Sequence, residues 1–101
     1  LPVLSDAKAI GLFRILQEAL TNVMRHAQAH TVELTLALEG DVLCLTVADD
    51  GVGFVAAPGR PTSFGIVGMR ERVLIMGGEL SLESEPGEGT TLSVKVPLDV
   101  A

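Results

Sequence analysis

The sequence predicts an α+β domain: a two-layer α/β sandwich whose mainly antiparallel sheet is covered on one face by helices. Three observations predict it. Four stretches alternate apolar and polar residues at period two, as half-buried strands do. Two others carry apolar residues at helical spacing. Their order is helix, strand, strand, loop, helix, strand, strand, and a sheet with one wet face needs cover on the other. A chain of 101 residues supports one core, so residues 1–101 are expected to form a single domain.

Ser5 or Asp6 is placed to cap a first helix that runs to about Ala27. At about 100° per residue, Leu12, Leu16, Leu20, Val23 and Ala27 share its apolar face, with Phe13 and Met24 at the edge. Glu18, Asn22 and Arg25 lie together on the opposite face, and His26 sits beside them. Gly11 weakens the first turns by roughly 1 kcal/mol relative to Ala. In Thr31–Glu39, the residues Val32, Leu34, Leu36 and Leu38 all point one way, so this strand is expected to be half-buried. Gly40-Asp41 makes a tight turn into Val42–Ala48, with Leu43, Leu45 and Val47 inward, and the two strands form an antiparallel hairpin.

Asp49–Phe54 ends that strand, and Val55–Phe64, with Pro58, Gly59 and Pro61, has no periodicity and reads as a loop. Gly65–Gly77 reads as a second helix with Ile66, Met69, Val73 and Met76 in phase, stopped by Gly77-Gly78. Glu79–Glu85 and Thr90–Pro97 are the last two strands, joined by a turn at Pro86–Gly89. Leu80, Leu82, Leu92, Val94 and Val96 point inward.

Composition narrows the function. Apolar residues make up 48% of the chain, with no Trp or Tyr and three Phe, so the core must be aliphatic. The net charge of −6 leaves no electrostatic footprint for nucleic acid and no general attraction to anionic membranes. An anionic ligand must then be held by local features: backbone N–H groups, a few basic side chains or a metal. The single cysteine, Cys44, forms no internal disulfide and, within an apolar run, is expected to be a small buried residue. His26 and His30 lack partners at zinc-ligand spacing. No apolar run approaches the roughly 20 residues of a membrane span. Leu1 is not an initiator methionine, which suggests a fragment or a processed product, and a cytoplasmic domain is expected.

Glycine falls in pairs on successive connections: Gly51 and Gly53 after the second strand, Gly65 and Gly68 opening the second helix, Gly87 and Gly89 in the last turn. Each pair alone is ordinary turn chemistry. Beside a polar helix face, the three pairs suggest a ligand site. Asp49, closing an apolar strand before a glycine turn, is either a turn residue or an acceptor for an exocyclic amine such as that of adenine. Asp50 reads as a turn residue. Gly65-Ile66-Val67-Gly68 lies at a helix N-terminus, where free amides favour phosphate. Asn22 offers an oxygen to Mg²⁺, which usually keeps waters and shares phosphate oxygens. Glu18 could accept a proton or orient a water. The same helix face can equally be a solvated surface. No Gly-Lys-Ser/Thr occurs, so a Walker site is excluded.

These residues carry a resemblance. Glu18–Ala27 (EALTNVMRHA) resembles the N box of sensor histidine kinases, Asp49–Phe54 (DDGVGF) their G1 box, Gly65–Arg72 (GIVGMRER) their G2 box, and Gly87–Thr90 (GEGT) the last glycine box. The wording is most similar to the nitrate-sensor and desaturase-sensor subfamily, and the likeness covers roughly Leu12–Leu98. It implies the Bergerat ATP-binding fold, with ATP and Mg²⁺ as cofactors. It implies that Asp49 recognises the adenine amine with Thr90 in support, and that Gly51 and Gly53 line the adenine end. Asn22 would hold Mg²⁺, with Arg25 and His26 near the phosphates. Gly65, Gly68 and Met69 would shape the lid hinge and phosphate end. Glu18 would be the catalytic carboxylate, and 55–64 a short ATP lid.

The resemblance implies an ATP-dependent protein histidine kinase of a two-component signal-transduction system. This chain would be its catalytic domain, donating the γ-phosphoryl group of Mg·ATP. The family's acceptor histidine lies in an acidic-flanked motif on a helical domain, and neither His26 nor His30 sits in one. The dimerisation and phosphoacceptor domain of the same parent is therefore the expected partner, with a response regulator downstream. An inner-membrane sensor is one form the parent can take. Alternatives are a serine kinase like the anti-sigma factors, or a non-catalytic nucleotide-sensing module.

Overall fold

A computed structural model of the chain describes residues 2–52 and 65–100. The elements are β1 (Pro2–Val3), α1 (Asp6–Asn22), a π-helical turn (Val23–Ala27), β2 (Val32–Glu39), β3 (Val42–Asp49), α2 (Ile66–Ile75), β4 (Glu79–Ser84), β5 (Thr90–Pro97) and β6 (Asp99–Val100). Four strands form one sheet in the order β2-β3-β5-β4, antiparallel throughout, and β1 pairs with β6 in a small second sheet. The short ribbon was not foreseen. Lys8 braces it, its Nζ donating to Pro97 O at 2.6 Å and to Asp99 Oδ1 at 3.0 Å.

Directly paired residues of antiparallel strands point to the same face. The rows Leu45–Val94–Leu80 and Val47–Leu92–Leu82 therefore face one side together. On that side α1 contributes Leu12, Ile15 and Ala19, and α2 contributes Ile66, Met69 and Val73, to one aliphatic core. The expected inward residues of β3, β4 and β5 are those observed, with Leu43 and Leu82 only partly buried. Cys44 pairs with Lys95 on the outer face and is half-buried rather than buried.

Two expectations need correction. The buried face of α1 is rotated from the one read in the sequence: Ile15 and Ala19 are buried, Leu20 and Val23 half-buried, and Phe13 and Met24 are 60% and 85% exposed. Apolar side chains cover more than half of this helix, so periodicity leaves the facing side ambiguous, and packing against α2 decides it. Gly11 helps to make that packing possible. A Cβ there would lie 2.8 Å from Met76 Sδ, so what reads as a weak helix residue is a contact surface. Ser5 is the N-cap, its side chain accepting from Lys8 N–H.

The second correction concerns β2. All eight of its residues are exposed, Leu34, Leu36 and Leu38 among them at 49%, 66% and 58%. They pair with Val47, Leu45 and Leu43, so they do lie on the helix-facing side. The strand forms the sheet edge beyond β3, and among the described residues no element packs over its apolar side. Alternation gives the face of a strand but not what lies above it. Ile15→Ala is therefore expected to cost about 2–5 kcal/mol in a denaturant titration, and Leu36→Ala under about 1 kcal/mol. Equal losses at the two sites would return β2 to the core.

Candidate nucleotide site

The core ends in a polar row. One step beyond Val47–Leu92–Leu82, on the same face, stand Asp49, Thr90 and Ser84 side by side on β3, β5 and β4. Asp49 and Thr90 are direct cross-strand partners, so the structure joins the two residues that the resemblance gives to the adenine end. Both are half-buried. Asp49 Oδ1 accepts the N–H of Gly51 at 2.8 Å. That bond fixes the carboxylate and leaves its second oxygen without a partner among the described residues.

Thr90 is held from the other side by Ser84, whose Oγ lies 2.8 Å from Thr90 Oγ1 and 3.2 Å from Gly89 O. Sequence reasoning missed Ser84. Its signal was hairpin register, because Ser84 and Thr90 flank the turn residues 85–89 symmetrically. Gly89 sits where no side chain fits: its φ is +81°, and a Cβ would collide with the backbone oxygen of Asp49. The last glycine box is thus pressed against the strand that carries Asp49.

Asp50 points elsewhere, as a turn residue. Its Oδ1 accepts the N–H groups of His30 at 2.8 Å and Thr31 at 2.9 Å, tying the start of β2 to the end of β3. The Thr31 N–H, favouring the charged form, holds this carboxyl below its ordinary value of 3.8. A depressed pKa means that the tie is fully present above the unfolded value and is lost as pH falls through the lowered folded one. The amide shifts of His30 and Thr31 are expected to titrate together below pH 3.8, and Asp50→Asn should abolish that titration. Amides that stay still in acid would contradict this contact.

A second group of the sequence-predicted residues lies between α1 and α2. Gly65 caps α2 with φ +71°, and a Cβ there would lie 2.5 Å from Glu18 Oε1. The positive φ favours glycine here, and the absence of a side chain lets the Glu18 carboxylate lie against the backbone. Glu18, Thr21, Gly65, Gly68 and Met69 line a cleft of about 530 Å³. Met69 is 3% exposed, so it serves the core and the cleft together. Asn22, half-buried, closes the last α-helical turn. The first-turn amides of α2 have no intrahelical acceptor, which suits an anion at this end of the cleft.

The unbroken helix read through Ala27 is not what forms. After Asn22 the chain widens into the π-helical turn, which ends at Gln28 in the left-handed region (φ 50°). Such turns recur at functional sites. The change of phase takes Arg25 out of the line that an α-helix would give it relative to Glu18. It is exposed and does not line the cleft. Gly53, the proposed lid at 55–64 and the His26 side chain lie outside the described residues and atoms. Among the described residues no group of three or more His, Cys, Asp or Glu is placed to hold a metal. The oxygen donors Asn22 and Glu18 suit a hard cation that shares phosphate oxygens.

Comparison with known proteins follows the same lines. The family model described as histidine kinase-, DNA gyrase B- and HSP90-like ATPase matches residues 7–100. The sensor histidine kinase LiaS of Bacillus subtilis (strain 168) is 42% identical over 87 residues, 86% of this chain and 24% of LiaS. The signal transduction histidine-protein kinase/phosphatase DegS of Brevibacillus brevis is 37% identical over 89 residues, 88% of this chain and 23% of DegS. The histidine kinase domain of the Erythrobacter litoralis EL346 blue-light activated histidine kinase superposes with a TM-score of 0.72 at 27% identity. That match covers 87% of this chain and 43% of the other. The chain spans about a quarter of the length of the curated relatives it matches.

Proposed function

The chain belongs to the histidine kinase-, DNA gyrase B- and HSP90-like ATPase family, and on that premise we propose that it is the ATP-binding catalytic domain of a sensor histidine kinase. In this reading it binds Mg·ATP and delivers the γ-phosphoryl group to a histidine on the helical dimerisation domain of the same parent, upstream of a response regulator. The observation that supports the reading is the row Asp49–Thr90 at the polar end of the sheet's aliphatic core.

The free oxygen of Asp49 takes the adenine amine, and Thr90, set by Ser84, supports it. Gly51 and Gly53 leave room for the ring. The first-turn amides of α2 attend the phosphates, with His26 near them; Arg25, which does not line the cleft, would have to swing in to reach them. Asn22 would hold Mg²⁺, which supplies charge neutralisation on the phosphate oxygens. Glu18 stands at the γ-phosphate end, where it orients the acceptor or takes its proton. Phosphoryl transfer needs little covalent help from a protein, and positioning with charge stabilisation carries most of it.

The domain would work in the cytoplasm, where its nucleotide is found, and none of the helices described is long and apolar enough to cross a membrane. Addition of Mg·ATP is expected to raise the melting temperature and to shift amide resonances of Asp49, Gly51 and Thr90. A folded sample that shows neither would overturn the reading. Acid-labile, base-stable label on an added acceptor would identify phosphohistidine, whereas acid-stable label would favour a serine kinase.

A further inference from the structure

In the polar row at the end of the sheet, the two hydroxyl groups have a fixed hydrogen-bond direction. Ser84 Oγ donates to Gly89 O at 3.2 Å and lies 2.8 Å from Thr90 Oγ1. A carbonyl oxygen can only accept, and a hydroxyl carries one proton. The Ser84 proton is therefore committed to Gly89 O, and Thr90 is the donor at the shorter contact. The reverse assignment sets Ser84 Oγ and Gly89 O face to face as two acceptors. Gly89 is buried against Asp49 O, so the carbonyl that decides this direction is itself held in the fold.

The consequence falls on Thr90. It stands on β5, between Ser84 on β4 and Asp49 on β3. Its one proton points along the row to Ser84, and toward Asp49 it presents lone pairs alone. Asp49 brings a second acceptor, because its Oδ1 holds the Gly51 N–H and its other oxygen has no partner among the described residues. Paired residues on one face of a sheet lie about 4.5–5.5 Å apart at Cβ, so the two acceptors form one edge with no donor in it. Such an edge suits a group that brings hydrogens and disfavours a carbonyl oxygen, which would leave lone pairs facing lone pairs. All three side chains are half-buried, so solvent relieves the mismatch only in part.

We propose that Ser84 is a specificity-determining residue of the nucleotide site: by accepting the Thr90 hydroxyl it makes the Asp49–Thr90 edge acceptor-only, and so excludes bases that present a carbonyl where adenine presents an amine. Ser84 is a positioning residue, acting through Thr90 and not on the base. Without it, Thr90 can turn its proton outward and satisfy a carbonyl. The proposal rests on the functional reading above.

Calorimetric titration of this chain with Mg·ATP and with Mg·ITP, whose base carries a carbonyl in place of the amine, reads the preference directly. Ser84→Ala releases the Thr90 proton, and the preference for ATP is expected to fall about three- to tenfold, chiefly because ITP binds more tightly. Ser84→Thr keeps a hydroxyl at the position and should keep the wild-type preference. In Thr90→Val there is no proton to release, so adding Ser84→Ala to it should leave the ratio of the two affinities unchanged. Equal losses of ATP and ITP affinity in Ser84→Ala would make Ser84 a structural support only and overturn the proposal. A shift in the ratio that persists in the Thr90→Val background overturns it too, because Ser84 would then act without Thr90. A wild-type chain that binds neither nucleotide overturns the functional reading itself.

Discussion

Asp49→Asn is expected to fold like the wild type and to bind ATP about 10- to 100-fold more weakly. The geometry gives the reason. One carboxylate oxygen is committed to the N–H of Gly51 at 2.8 Å. In the variant the amide oxygen keeps that bond, and the amide nitrogen turns to the ligand. An amine on the base then meets a donor where it needs an acceptor. Loss of a hydrogen bond to a charged group costs about 1.5–3 kcal/mol, and each 1.4 kcal/mol is a factor of about ten in affinity. The side chain is half-buried and the loss falls on the ligand, so stability should change by less than about 1 kcal/mol. Calorimetric titration with Mg·ATP, beside a thermal melt, separates the two. A large fall in melting temperature with unchanged affinity would make Asp49 a turn residue only.

Gly89→Ala is expected to have the largest effect on stability of any exchange in the glycine boxes, at least about 2 kcal/mol. Two terms act together. A φ of +81° costs a non-glycine residue roughly 1 kcal/mol or more, and the new Cβ is driven into the backbone oxygen of Asp49. Relief requires β5 to move away from β3 at the Asp49–Thr90 row, the row proposed to hold the nucleotide, so ATP affinity is expected to fall with stability. Gly87→Ala is the internal control. Its φ is also +81°, but a Cβ there meets nothing within 4 Å, so only the conformational term applies. Chemical denaturation of both variants isolates the close approach as their difference. Equal losses would leave the Gly89–Asp49 contact without energetic weight.

The strands were legible because period-two alternation maps directly onto the two faces of a sheet. The inward residues of β3, β4 and β5 follow from it, whereas the register that sets Thr90 opposite Ser84 appears only in the structure. What alternation omits is the other layer. Leu34, Leu36 and Leu38 lie on the core face of β2 and are exposed, because the helices cover the columns of β3, β5 and β4. The same limit applies to α1, where Ile10, Phe13, Ile15 and Leu16 offer several apolar faces and packing on the sheet and α2 buries the one that carries Leu12, Ile15 and Ala19.

For the site, the glycine pairs and the polar face of α1 were visible as patterns, and the motif resemblance gave them roles. Asp49 stands opposite Thr90 on neighbouring strands, and Glu18 lies against Gly65 in the cleft between the helices. The π-helical turn left no mark in Val23–Ala27, because one extra residue in a hydrogen-bonded ring changes phase without a distinctive composition. Arg25 therefore sits off the line assigned to it.

The central claim is that Asp49, held by Gly51, reads the exocyclic amine of adenine at the polar end of the sheet. Its most direct test compares calorimetric affinities for Mg·ATP and Mg·ITP, which carries a carbonyl in place of that amine, in wild type and Asp49→Asn. Wild type should prefer ATP by about tenfold or more, and Asp49→Asn should lose or reverse that preference, because its amide can donate to the carbonyl. The same preference for ATP in both proteins, or none in wild type, would contradict it.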